Sequence, residues 1–83
     1  MADARVVLAG SLKAALPDAD AVVIQAADIR QLLRRLGELY PELKDQLEEG
    51  VTVSIDGKIY NDAWFEPLPE DCEIYVLPRL AGG

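Results

Sequence analysis

Apolar and polar positions along this 83-residue chain change their period several times, and each change marks an element. Residues 4–10, ARVVLAG, concentrate Val and Leu between a polar start and a glycine, as a short strand does. Residues 21–26, AVVIQA, supply a second β-branched run. Between them SLKAALPDAD carries turn chemistry at Pro17-Asp18, so the two runs read as a hairpin with a long connection. The period then becomes helical: Ile29, Leu32, Leu33, Leu36, Leu39 and Tyr40 form one stripe. Asp28, with Gln31 three residues later, has the pattern of a capping box, in which each side chain satisfies a backbone N–H of the first turn; such a cap contributes about 1 kcal/mol. Pro41 breaks this helix and opens a short second one over PELKDQLEEG. Gly50 stops that helix, whose final Glu48 and Glu49 oppose the helix dipole.

From Val51 the alternation is two-residue: Val51, Val53 and Ile55 on one face, Thr52, Ser54 and Asp56 on the other. Asp56-Gly57 turns the chain into a short strand over residues 58–61. Residues 62–71, DAWFEPLPED, have the prolines and acids of a loop, and CEIYVLP is a last strand ending at Pro78. One amphipathic helix needs one sheet face to lie on. The order therefore predicts an α+β fold of the ubiquitin-like β-grasp kind, with one long helix packed on a mixed sheet of four to five strands, plus the short second helix. A ferredoxin-like arrangement requires a second long helix near the C-terminus, and the pattern offers none. A chain of this length buries only about 60% of its unfolded surface, so residues 1–83 are expected to form a single domain, with a flexible tail over about 79–83.

With 51% apolar and 28% charged residues the composition is that of a globular protein. No uninterrupted apolar run approaches the ~20 residues of a bilayer span. The net charge of -7 opposes nucleic acid and anionic lipid alike, which excludes both as expected partners and favours a basic groove on another protein. The same acidity also serves solubility. Asp3 and Lys13 spoil a secretory leader, and a single cysteine forms no internal disulfide, so a cytoplasmic location is expected.

Histidine is absent, which removes the commonest general base and metal ligand together. Cys72 has no His or basic run nearby to stabilise a thiolate and reads as structural. Glu48, Glu49, Glu70 and Asp71 read as solvated charge, so no metal site and no bound cofactor are expected. The glycines fit no phosphate-binding loop. Trp64 and Phe65 read either as edge-of-core packing or as a partner surface.

The sequence closes on LPRLAGG, residues 77–83. Two side-chain-free residues suit passage through a narrow channel, where a Cβ would obstruct close approach. The stretch LPEDCEIYVLPRLAGG, residues 68–83, resembles the C-terminal signature of the sulfur-carrier proteins related to the molybdopterin synthase small subunit and the thiazole-pathway carriers (the MoaD/ThiS family). Leu68, Glu73, Ile74, Val76, Pro78, Ala81, Gly82 and Gly83 match. Asp71-Cys72 stands where the family has Gly-Asp, and Arg79 where it has a second proline. RVVLAGSLKAAL, LLRRLGELYPELKDQL and VSIDGK resemble the family's opening strand, helix and hairpin more loosely.

The resemblance implies that an E1-like enzyme, using ATP and Mg, adenylates the carboxylate of Gly83, which then becomes a thiocarboxylate that donates sulfur in cofactor biosynthesis. It implies Gly82, Ala81, Leu80, Arg79 and Pro78 as the tail that partners recognise, with Trp64 and Phe65 as further partner surface. The implied acceptor is an enzyme such as the molybdopterin synthase large subunit. The chain is then a carrier, at most the small non-catalytic subunit of a sulfurtransferase. Two alternatives stand beside it: a ubiquitin-like modifier conjugated through Gly83, and a β-grasp adaptor such as a phage-tail assembly component.

Overall fold

The structure, a computed structural model, describes residues 2–17, 20–61 and 63–78. Five strands, β1 (Ala2–Leu8), β2 (Val22–Ala26), β3 (Val51–Ile55), β4 (Lys58–Tyr60) and β5 (Cys72–Pro78), form one mixed sheet in the order β2-β1-β5-β3-β4. The central pair, β1 and β5, is parallel, with Val6 opposite Ile74 and Leu8 opposite Val76; every other pairing is antiparallel. Alternation decides which face is covered. Ala2, Ala4, Val6 and Leu8 of β1 and Cys72, Ile74 and Val76 of β5 are buried under the helical layer. The intervening Asp3, Arg5, Glu73 and Tyr75 lie on the other, open face.

Helix α1 (Ile29–Leu39) supplies the opposing layer through Ile29, Leu32, Leu33 and Leu36, all buried. Its first four N–H groups, which have no partner inside the helix, are all accounted for. Ile29 N–H donates to Glu66 O and Arg30 N–H to Trp64 O, both in the loop before β5, while Leu32 N–H donates to Asp28 O. Gln31 N–H donates to Asp28 Oδ1 at 2.8 Å. The capping box is displaced by one residue from the expected form, because Gln31 Oε1 accepts from Ala27 N–H at 2.7 Å rather than from the cap itself. The loop over residues 63–68 is thus tied to the helix start by its backbone. Pro41 breaks the helix as expected, into a 3₁₀ turn over Pro41–Leu43 and then α2 (Lys44–Glu49).

Four expectations need correction. The first strand runs from Ala2 to Leu8 rather than 4–10, since pairing with β2 extends its start and Gly10, at φ +61, ends the extended conformation. The connection to β2 holds a 3₁₀ helix, Gly10–Ala15, whose Leu12 is fully buried; three apolar residues at irregular spacing hid it. Asp18, half of the expected turn, lies outside the described residues. Leu39 is 57% exposed instead of completing the helix stripe, because it faces the edge strand β2 and no further strand covers it. Ser54, on the polar side of β3, is buried, crowded by Tyr75 and Ile59 at its two register positions.

The turn before β5 carries backbone strain. Asp71 sits at φ +52, a conformation that disfavours residues with a Cβ, although Asp tolerates it better than most. Asp71→Gly is expected to raise stability by about 0.5 kcal/mol, the relieved left-handed strain slightly exceeding the added freedom of the unfolded chain. Thermal melting of the two proteins checks it.

Candidate functional site

The residues singled out from the sequence fall into three places. At the C-terminal end of β5, Pro78 is half-buried and stands opposite Val51 at the start of β3. On the other side, Ala9 N–H donates to Val76 O at 3.0 Å, which continues the β1 ladder one residue beyond the strand. The chain then turns at Gly10 directly against the proline ring. A Cβ on Gly10 would stand 3.1 Å from both Cγ and Cδ of Pro78. Gly10 and Val51 therefore hold Pro78, the last described residue, from two sides. Arg79, Leu80, Ala81, Gly82 and Gly83 lie outside the described residues.

At the opposite end of β5 the polar contacts concentrate. Asp56 N–H donates to Glu73 O, and Asp56 Oδ1 accepts from Glu73 N–H, each at 2.9 Å. Arg5 pairs with Glu73 across the open face at 2.9 Å, with both side chains about half exposed. These bonds anchor the turn; a pair so exposed is worth little in isolation. Cys72 beside them is buried, and burial pushes its thiol up, with Asp56 and Asp71 adding in the same direction against a backbone hydrogen bond that lowers it. The thiol stays protonated at neutral pH, which fits the structural role read from the sequence. Among the described residues no cluster of three or more Cys, Asp or Glu has metal-binding geometry.

Trp64 and Phe65 are both exposed, at 41% and 76%, so the edge-of-core reading does not hold for either. They do not act as one patch. Trp64 lines a groove of about 520 Å³ between α1 and α2, and Phe65 is not part of its wall. The groove contains Arg30, Arg34 and Lys44, which composition and periodicity alone did not single out; the signal for the first two is their i, i+4 spacing on the polar side of α1.

A second surface also went unread. On the open face of the sheet, Val7, Tyr75, Ser54 and Ile59 stand in one row across β1, β5, β3 and β4. Tyr75 and Ile59 are 40% and 60% exposed. Leu77, one pair further along β5 toward Pro78, continues this apolar strip beside Thr52. The alternation placed these residues outward, but only the strand order brings them together.

No family model and no curated protein matches this chain. Among solved structures it is similar to a putative molybdopterin converting factor, subunit 1, from Pyrococcus furiosus, at 16% identity and TM-score 0.79, over 96% of this chain and 100% of that one. It is also similar to the small archaeal modifier protein 1 from Methanosarcina acetivorans, at 22% identity and TM-score 0.79, over 100% of this chain and 98% of that one. At these identities the likeness shows the fold, a ubiquitin-like β-grasp, over the whole domain. Among the described residues no helix is long and apolar enough to cross a membrane.

Proposed function

We propose that this chain is a sulfur carrier whose reactive group is the carboxylate of Gly83. In this reading a carboxylate oxygen attacks the α-phosphorus of ATP in an E1-like enzyme, with Mg at the phosphates; pyrophosphate leaves and an acyl adenylate forms. Hydrosulfide then attacks the acyl carbon, AMP departs with one carboxylate oxygen and the S–H proton is lost to solvent, which leaves a thiocarboxylate. The observation that carries the reading is the position of β5. It is the central strand of a β-grasp sheet, its Pro78 is held between Gly10 and Val51, and the residues after Pro78 read RLAGG.

The apolar strip through Tyr75 and Leu77 leads along β5 toward that end and suits a partner enzyme that takes up the tail. A pterin-dithiolene synthase is the favoured acceptor, since one structural neighbour is described as a molybdopterin converting factor subunit. The chain then acts as that enzyme's small non-catalytic subunit in the cytoplasm. The other neighbour is described as a modifier, and this favours a second reading in which Gly83 forms an isopeptide bond with a lysine of another protein.

Intact mass measurement of the chain co-produced with an active E1-like enzyme and a sulfur source separates these readings. The carrier reading expects one exchange of oxygen for sulfur located on Gly83, lost when Gly82 and Gly83 are deleted and lost when one residue is appended after Gly83. Heavier conjugates that vanish with the same deletion favour the modifier instead. An unmodified chain beside an enzyme that activates its own cognate carrier rejects both.

A further inference from the structure

We propose that the groove between α1 and α2 is a docking site for an acidic segment of a partner protein, one that inserts an aliphatic or aromatic side chain between flanking carboxylates. This goes beyond the sulfur-carrier reading and does not depend on the fate of Gly83. The first support is charge. The chain as a whole is strongly acidic, at -7, yet the groove holds Arg30, Arg34 and Lys44 against only Glu38 and Glu48. Thus three of the eight Lys and Arg residues converge on one concave surface. Among the described residues none of these three cations forms an ion pair, although each is exposed and all three share the groove with Glu38 and Glu48. Their charge is available to a visitor, and complementary charge raises encounter rate and rejects basic competitors.

The second support is shape. Between the cations the wall is apolar, made by Leu33, Leu47 and Trp64. Trp64 is held there by its own backbone, since its carbonyl accepts from Arg30 N–H at 2.8 Å. A tryptophan whose backbone is pinned at the groove edge and which is 41% exposed offers an aromatic anchor contact.

The third support is Gly37, in the groove wall. Glycine in a helix interior is less stable than alanine. A Cβ at this position would meet Leu47 Cδ1 at 3.4 Å and Lys44 Cγ at 3.5 Å, which is ordinary van der Waals contact. Packing therefore does not demand glycine here. A methyl group there would take up part of the groove wall beside Leu47 and Lys44.

Trp64 is the only tryptophan of the chain, so its fluorescence reports on the groove directly. The probe is the peptide acetyl-Glu-Glu-Leu-Phe-Glu-Glu-amide, titrated at low ionic strength, with the same peptide carrying Gln for Glu as comparison. The expected result is a saturable shift of Trp64 emission to shorter wavelength that weakens with salt. The Gln peptide and the R30E/R34E variant should each bind about tenfold more weakly, since attraction is removed in one and reversed in the other. Lys44→Glu, on the opposite wall, gives the same direction and serves if the double variant fails to fold. Gly37→Ala is the sharpest arm: it should melt at a higher temperature than the parent and still bind the acidic peptide several-fold more weakly. No emission shift, an equal response to the Gln peptide, or unchanged affinity in both charge variants overturns the proposal. So does sedimentation showing that a second copy of the chain occupies the groove, or that deleting residues 79–83 is what opens it to the peptide.

Discussion

Leu36→Ala is expected to remove about 3 kcal/mol or more of folding stability, a loss that in α1 only the equally buried Leu32 should match. Leu36 is fully buried, the last member of the stripe that Ile29, Leu32 and Leu33 begin, and belongs to the one hydrophobic core. Alanine is the better helix former, so the helix itself gains slightly and the measured loss reports packing alone. A domain of this size has roughly 4–12 kcal/mol of stability in total, so the variant loses a large part of its margin. Urea unfolding should show a lower midpoint with an unchanged slope. A loss below about 1 kcal/mol would mean that the helix does not close the core in the way described.

The same residue illustrates how far sequence alone carries. The stripe through Ile29, Leu32, Leu33 and Leu36 was legible because burial on one helix face imposes a strict period, and the alternation in Val51–Ile55 was legible for the same reason. Asp56-Gly57 was legible because both residues need positive φ, here +48 and +92, and few other pairs allow it. The 3₁₀ helix at Gly10–Ala15 was not, since its buried Leu12 is placed by the sheet end beneath it and not by any period of its own. Trp64 shows the limit for function. Its exposure follows from backbone bonds between its loop and the start of α1, contacts 34 residues apart that no local pattern encodes. The apolar row on the open sheet face is similar: each residue was readable as outward, and only the order β1-β5-β3-β4 makes them neighbours. Tail residues stood out because two adjacent glycines are a chemical feature independent of fold.

Gly10→Ala should cost about 2 kcal/mol and reduce the competence of the tail beyond what instability explains. Two effects add at this position: φ of +61, and a Cβ forced to within 3.1 Å of two atoms of the Pro78 ring. A proline ring has little freedom to move aside, so relief must come from shifting the Gly10 turn or the end of β5. Gly57→Ala separates the two effects. Gly57 lies at φ +92, farther from the left-handed minimum than Gly10, but a Cβ there meets nothing within 4 Å. On backbone strain alone Gly57→Ala should be the more damaging. If Gly10→Ala proves worse, the difference measures the contact with Pro78. The functional arm follows from the carrier reading, in which β5 must deliver Gly83 to an enzyme's nucleotide. At a temperature where both variants are folded, the rate of adenylation should fall for Gly10→Ala and stay near the parent for Gly57→Ala. Equal rates would confine Gly10 to a folding role, and the grip on Pro78 would then have no part in presenting the tail.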